Sequence, residues 1–213
     1  FGLIPHPTFK AFGASPDGIC DDNGNDEYVG RMVEIKCPPK RKFTKTVPPH
    51  YLMQVQGQLE VCDLDHCDFF QVKIEDYENF EEYELDVFVD DDIVIPGRTN
   101  LNYPKGVTFS YRKKAEIKLT YIYPVLNMTN DEYKDWIREK KVEIIGQGHE
   151  YVESKWWKIS RYECTFVERN NKWWNENVEH ILKFYTDLKM YKSTPEKISE
   201  LKAEIAKKKK RNV

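Results

Sequence analysis

Two short motifs near the start of the chain constrain its fold more than any other feature. The first spans Gly13 to Ile19 and contains Asp17, and the second spans Val33 to Pro38. Side chains on a strand alternate between two faces, so Glu34 and Lys36 are predicted to project from one face. Two carboxylates on adjacent strands and a nearby ammonium can bind a hard cation such as Mg²⁺ and position a nucleophilic water. This constellation predicts phosphodiester hydrolysis.

The pattern around these motifs predicts the order hairpin, helix, strand. Residues 9 to 22 and 28 to 36 are predicted as two strands joined by a turn at Asn23-Gly24. Residues 48 to 62 are predicted as a helix that begins at two prolines, and residues 68 to 74 as another strand. Because the first two strands form a hairpin, the two acidic motifs should lie side by side.

The remaining residues are predicted to form an insertion followed by closing elements of the same domain. Residues 75 to 150 are predicted as a β-rich insertion into a core formed by residues 9 to 74 and 151 to 192. Further predicted elements are a strand at 85–89, a turn at Pro96-Gly97, charged and apolar alternation near 116–121, a capped helix from Thr129 to about 140, a half-buried strand pair within 156–167, and helices at about 175–191 and 195–209. The predicted class is α/β (α+β): a mixed sheet flanked by helices, with a basic helix at 195–213.

Composition and charge argue against several classes of protein. No run approaches 18 uncharged apolar residues, and no signal peptide is visible, so an intracellular protein without a membrane span is expected. The five cysteines are irregularly spaced, which argues against a disulfide framework, and Cys62, His66 and Cys67 lack the pattern of a zinc site. The net charge of −3 conceals an acidic run over 75–92 and a basic run over 207–211, both predicted as solvated surface. Since the chain begins at Phe1 and not at methionine, an upstream part is expected.

The acidic motifs alone are compatible with chance, and a structural salt bridge from Lys36 to Asp17 or Glu34 is the alternative interpretation. The next predicted helix favours a functional site. Tyr51, Gln54 and Gln58 share one side of that helix, at spacings of three and seven residues from Tyr51. From there Gln54 is predicted to orient the attacking water or a metal-bound phosphate.

Three motifs resemble those of the lambda exonuclease and YqaJ-type viral recombinase group, within the PD-(D/E)XK nuclease superfamily. They are Gly13-Ala14-Ser15-Pro16-Asp17-Gly18, Glu34-Ile35-Lys36-Cys37-Pro38 and Tyr51-Leu52-Met53-Gln54-Val55-Gln56. The resemblance is specific over residues 11 to 74 and continues near Val167 to Asn170 and at Trp173-Trp174. Residues 75 to 150 have no counterpart in it.

The resemblance implies roles for individual residues. Asp17, Glu34 and the carbonyl group of Ile35 would bind Mg²⁺ or Mn²⁺, and Lys36 would position or deprotonate the water. Gln54 would support the site from its helix. Candidate nucleic-acid contacts, some implied by the resemblance and the basic ones by their positions after the motif strands, are Ser15, Tyr51, Gln58, Lys40, Arg41, Lys42 and Lys73. The upstream acidic and basic helices of the group are absent from the fourteen residues that precede Ser15.

The predicted function is that of a metal-dependent DNA exonuclease, 5′-to-3′ on linear duplex DNA, in viral recombination, replication or repair. The alternatives are a structure-specific or restriction-like endonuclease of the same superfamily and a noncatalytic DNA-binding module. Predicted partners are DNA, a single-strand annealing protein and a second copy of the chain, with no membrane. The predicted location is intracellular, in the host cytoplasm or at the site of viral DNA replication.

Overall fold

A computed structural model describes residues 2–22, 26–38, 43 and 46–211. The predicted turn at Asn23-Gly24 and the basic residues Lys40, Arg41 and Lys42 lie outside this part of the chain. The chain divides into two compact units. Unit 1 consists of Phe1–Glu34, Thr44–Phe69 and Thr165–Val213, and unit 2 consists of Ile35–Phe43 and Phe70–Cys164.

The structure contains ten strands and five α-helices among the described residues. The strands are β1 (Ile4–Pro5), β2 (Gly13–Ala14), β3 (Gly18–Ile19), β4 (Met32–Lys36), β5 (His66–Asp76), β6 (Phe88–Asp90), β7 (Ile93–Ile95), β8 (Lys105–Arg112), β9 (Leu119–Ile122) and β10 (Glu150–Glu168). The helices are α1 (Pro49–Cys62), α2 (Phe80–Leu85), α3 (Asn130–Gly146), α4 (Asn171–Ser193) and α5 (Pro195–Arg211), with a short 3₁₀ helix at Asp26–Tyr28.

Six strands form one mixed sheet in the order β3-β4-β5-β10-β8-β9. The pairs β3–β4, β8–β9 and β8–β10 are antiparallel. Strands β4 and β5 are neighbours joined through α1, the type of connection that parallel neighbours require. The predicted α/β class, with a mixed sheet flanked by helices, is confirmed. The predicted insertion at 75–150 stays a prediction, although β8 and β9 fall within its range and belong to this sheet.

The core of unit 1 lies between α1 and the sheet. Its buried members are Met32, Val55, Leu59, Cys67, Phe69 and Val167. Helix α1 begins at Pro49, whose missing N–H would have no acceptor within the helix at this position. The helix ends at Cys62, and the next residue, Asp63, caps it in the left-handed conformation with φ 52°. The helix predicted over 48–62 is therefore confirmed, and its buried side places the residues that follow the prolines against β4.

The core of unit 2 has two aromatic clusters, to which α3 contributes Tyr133 and Ile144. One contains Tyr77, Tyr83, Val107 and Tyr133, and the other contains Phe109, Tyr111 and Ile144. Helix α3 starts at the predicted capping box, in which Thr129 and Glu132 satisfy each other's backbone N–H groups. It continues to Gly146, beyond the predicted end near residue 140.

Several predicted strands differ from the structure. Within the strand predicted over 9–22, the described residues form two short strands, β2 and β3. The Ser-Pro-Asp segment separates them, because Pro16 has no N–H to donate to a neighbouring strand. The strand predicted over 85–89 overlaps helix α2, which ends at Leu85. The start of α2 is stabilised by its N-cap residue Asn79, whose side chain accepts a hydrogen bond from the Glu82 N–H. The strand pair predicted within 156–167 is a single strand, β10. No described helix combines the length and apolar character needed to cross a bilayer.

Candidate active site

The β3–β4 hairpin brings the two acidic motifs together. Its register pairs Gly18 with Val33 and Ile19 with Met32. Continuing this register by one pair places Asp17 opposite Glu34, and opposite residues in an antiparallel pair have Cβ atoms about 4.5–5.5 Å apart. The predicted proximity of the two carboxylates therefore agrees with the hairpin register.

Glu34 lies on the buried face of β4. It is 2% exposed and shares its face with Met32, which is fully buried, whereas Ile35 on the opposite face is 44% exposed. The sequence alternation sets Glu34 and Ile35 on opposite faces of the strand, and the apolar Ile35 is the more exposed of the two. The reason is that α1 covers the face that carries Met32. A carboxylate buried in this way needs hydrogen-bond donors.

Two glutamines from α1 supply those donors. Gln54 Nε2 donates to Glu34 Oε1 at 2.7 Å, and Gln58 Nε2 donates to Glu34 Oε2 at 2.9 Å. Because residues four apart share a helix face, both amides reach the same carboxylate from successive turns. Each carboxylate oxygen is thus held by its own amide N–H.

The role of Gln58 as a partner of Glu34 was not predicted from the sequence. Its side chain is 6% exposed, so its position supports the carboxylate, and its contact with DNA stays a prediction. The i, i+4 spacing of Gln54 and Gln58, next to a strand carrying an acid, is the signal that could have indicated it.

The other predicted residues differ in their surroundings. Ser15 and Asp17 are exposed, while Ile35 and Lys36 directly follow Glu34 on β4, with Lys36 half-buried. Tyr51 is half-buried against the core of unit 1, with its ring centroid 5.7 Å from that of Phe69.

Lys73 is exposed on β5 in unit 2. It forms a close ion pair with Glu75, and its hydrogen bond is the main cause that lowers the pKa of that carboxyl group. The three basic residues predicted at 40–42 lie outside the described residues.

The donor chemistry of the site fits a hard divalent cation. Among the described residues, no group of three or more His, Cys, Asp or Glu side chains is arranged to bind a metal. The candidate ligands are two carboxylates and a strand carbonyl, which are oxygen donors of the kind that Mg²⁺ prefers together with retained water.

A second set of hydrogen bonds fixes α1 in unit 1. Gln56 is buried, its Nε2 donates to the Glu168 carbonyl oxygen at 2.8 Å, and its Oε1 accepts from the Asn170 N–H at 2.6 Å. Arg169 donates to Glu60 at 2.7 Å and to Asp63 at 2.8 Å. The hydrogen bond with Asp63 is the main cause that raises the pKa of the Arg169 guanidinium group. These contacts join α1 to the end of β10 and the start of α4.

Comparison with known proteins agrees with the resemblance seen in the motifs. Over 228 aligned residues, the chain is 28% identical to the uncharacterized protein R354 of Acanthamoeba polyphaga mimivirus, covering 94% of this chain and 41% of that protein. The chain therefore spans about two fifths of the length of this curated relative. A family model matches the segment that contains Asp17, Glu34, Gln54 and Gln58. This model is that of the YqaJ-like viral recombinase domain, it matches residues 2–65, and the match supports the family resemblance predicted from the sequence.

Proposed function

We propose that this chain carries the active site of a divalent-metal-dependent deoxyribonuclease that degrades linear duplex DNA from its 5′ ends. The observation that carries the proposal is the hydrogen bonding of Glu34, whose two oxygens each accept an amide N–H from α1. The carboxylate is held in one orientation, opposite the position of Asp17. A viral role in recombination, replication or repair is part of the proposal and is supported by the matched family.

In this proposal the residues of the hairpin have different roles in the reaction. Asp17, Glu34 and the Ile35 carbonyl group would hold Mg²⁺ or Mn²⁺, which when bound would lower the pKa of a water and offset phosphate charge. The Lys36 ammonium group would orient the attacking water and stabilise negative charge that develops on the phosphoryl oxygens. Gln54 and Gln58 hold the Glu34 carboxylate in place before substrate arrives, which reduces the reorganisation needed in the reaction.

Incubation with end-labelled linear duplex DNA, with and without Mg²⁺, tests the proposal. We expect metal-dependent release of mononucleotides from the 5′-labelled strand, with the 3′ label retained in long products at early times. A covalently closed circular duplex should remain intact. Cleavage of the circle would instead identify an endonuclease, and binding of DNA without cleavage in Mg²⁺ or Mn²⁺ would identify a noncatalytic module.

Two further partners stay predictions. A single-strand annealing protein and a second copy of the chain would each be detected as a complex of defined mass by size-exclusion chromatography with light scattering.

A further inference from the structure

A cavity of about 440 Å³ in unit 1 adjoins the residues that hold Glu34. Three elements converge on it: α1, the segment around β2, and the first turns of α4. Its polar end is formed by Ser15, Gln54 and Gln58, and Met53 and Trp173 belong to its apolar part. The volume falls within the range of about 300–1,000 Å³ that is typical of small-molecule sites.

The side chains that line this cavity favour a neutral ligand group. None of the lining residues in the described chain is an acid, a lysine, an arginine or a histidine. Phosphate sites in proteins normally use charged or helix N-terminal donors, and an uncharged cavity lacks the ionic part of that recognition. A planar, neutral group that stacks on an aromatic ring suits this surface better.

The two tryptophans of the cavity have different surroundings. Trp174 is 6% exposed and belongs to a ring cluster, with centroids 5.9 Å from His6 and 5.1 Å from Phe12. Trp173 is half-buried, and in the described chain no other aromatic ring packs against it. Trp174 is therefore part of the core, whereas the Trp173 ring is placed to contact a ligand.

Two other lining residues provide space and a hydrogen-bond acceptor for a ligand in the cavity. A Cβ atom added at Gly57, in the middle of α1, would meet no neighbouring atom within 4 Å. The Oε1 atom of Gln58 is buried and accepts no hydrogen bond from any described residue. A group that carries an N–H donor and enters the polar end would satisfy an acceptor that the described residues leave unpaired.

We propose that this cavity receives the nucleobase of the nucleotide next to the scissile phosphate and that Trp173 stacks on it. The inference rests on the proposed nuclease function, because the cavity shares Gln54 and Gln58 with the Glu34 site. A nucleotide bound there has its phosphate near the catalytic carboxylate and its base against the uncharged wall. Since every base has a π-face, the contact stabilises the strand end without selecting a sequence.

The first test compares a normal duplex end with an end whose terminal nucleotides are abasic. Removing one base–aromatic stack typically lowers binding about 5-fold to 100-fold, so kcat/KM should fall by a factor in this range on the abasic substrate. Trp173→Ala should lower kcat/KM on the normal substrate by a similar factor and should show little further loss on the abasic one. Trp173→Phe, which keeps a stacking ring, should restore most of the difference.

The second test measures binding without turnover. In EDTA, a single-stranded oligonucleotide should quench the fluorescence of the wild-type protein, and Trp173→Phe should lose most of that quenching. Gly57→Leu provides an independent probe, because it adds a side chain where the cavity is open and replaces a poor helix former. We expect this variant to fold and to bind the oligonucleotide at least 5-fold more weakly.

The outcomes separate this inference from the proposed function. Equal cleavage of normal and abasic ends by the wild type, or full discrimination between them by Trp173→Ala, would overturn the inference and leave the nuclease intact. Absence of any metal-dependent cleavage would overturn the proposed function. Unchanged oligonucleotide binding by both Trp173→Ala and Gly57→Leu in EDTA would overturn the cavity assignment even in that case.

Discussion

Two neutral amide donors hold Glu34, and this has a chemical consequence at the scale of the single residue. An amide N–H fixes a carboxylate oxygen without cancelling its charge, whereas a bound lysine or arginine would neutralise much of it. Gln54 and Gln58 therefore orient the group without adding a positive charge of their own beside it. The same carboxylate would be a poor ligand if it were free to rotate at an exposed position.

Substitution of the three motif residues tests this chemistry directly. Asp17→Asn, Glu34→Gln and Lys36→Met should each lower metal-dependent cleavage by about 100-fold or more, because each removes a charge from the reacting centre. Cleavage of end-labelled duplex in Mg²⁺ gives the rate. Far-ultraviolet circular dichroism and thermal unfolding show whether each variant is folded.

Lys172→Met is a matched control for the lysine substitution, since Lys172 is exposed on α4 in a weak pair with Glu176. It should cleave at the wild-type rate. Full activity of Lys36→Met would contradict the assigned role of Lys36.

At the scale of elements, α1 uses alternate glutamines for two purposes. Gln54 and Gln58 bind the β4 carboxylate, while Gln56 binds the backbone where β10 ends and α4 begins. Helix geometry explains the division, because a residue two positions away points to a different side. The helix thereby couples the placement of the candidate site to the closing elements of unit 1.

Replacement of Gln56 tests whether its hydrogen bonds to the backbone of Glu168 and Asn170 stabilise unit 1. Gln56→Leu would leave the Glu168 carbonyl oxygen and the Asn170 N–H without these partners, at about 1–3 kcal/mol for each buried group. We expect the free energy of unfolding, measured by urea denaturation, to fall by about 2–4 kcal/mol. An exposed substitution on the same helix, Met53→Leu, should change it by less than about 0.5 kcal/mol. Equal stabilities of these two variants would show that the Gln56 hydrogen bonds do not stabilise unit 1.

Asp86 gives unit 2 a pH-dependent contribution to stability at the end of α2. Burial alone would raise the pKa of Asp86, but hydrogen bonds from the Asn100 N–H and the Tyr77 hydroxyl group, both at 2.7 Å, together with Lys158 and Lys105, lower it. A folded-state pKa below the unfolded value of about 3.9 means that the unfolded chain binds the proton more readily. The stabilisation is therefore present above about pH 4 and is lost as pH falls through the folded pKa.

Asp86→Asn should remove this dependence. We expect the variant to be less stable than the wild type by about 1–2 kcal/mol at pH 7, with the difference shrinking between about pH 5 and pH 2. Urea denaturation across that range measures the difference. A difference that stays constant with pH would show that the carboxylate charge contributes nothing.

The elements that could be predicted are those with strong local signals. Helix α1 has prolines at its start, and α3 has a complete capping box, so both begin where the sequence indicates. Strand β8 was missed because six of its eight residues are buried, including the polar residues Lys105 and Ser110, so the usual alternation of polar and apolar residues is hidden. Helix α2 was missed because its acids suggested a solvated segment, although acids in a first turn stabilise a helix.

The candidate site was predictable in part for the same reason. Asp17, Glu34 and Lys36 are close in sequence and lie on a hairpin, so local geometry is enough to relate them. The bonds from Gln58 to Glu34 and from Gln56 to Asn170 join residues 24 and 114 positions apart. The i, i+4 spacing of two glutamines indicates that they share a helix face, but which strand residue that face meets depends on how the helix packs on the sheet.

At the scale of the whole molecule, the distribution of charge bears on DNA binding more than the net charge does. The acidic run at 75–92 belongs to unit 2 and includes α2, β6 and Asp86. In the proposed function, a chain of net charge −3 would approach DNA through local basic surface, and Lys40, Arg41, Lys42 and Lys73 are the predicted contributors.

Their contribution is measurable as a salt slope. Replacing these four residues with glutamine, in a Glu34→Gln background that prevents cleavage, should weaken binding to duplex DNA. It should also reduce the slope of log K against log salt by up to about 3–4, since each phosphate contact adds about 0.9. The matched control neutralises four basic residues of α3, namely Lys134, Arg138, Lys140 and Lys141. A slope that changes equally in both proteins would show that the first four residues are ordinary surface charge.

The aromatic packing around Trp174 makes the residues ahead of β2 necessary for the structure of unit 1. His6 is buried, its Nδ1 accepts hydrogen bonds from the backbone N–H groups of Thr8 and Phe9, and its ring stacks on Trp174. Strand β1 pairs with β2, directly before the Ser-Pro-Asp segment. Deleting the first dozen residues would therefore uncover the side of Trp174 and release β2. A protease that cuts between His6 and Phe12 should therefore separate the His6 ring from β2 and lower the stability of unit 1.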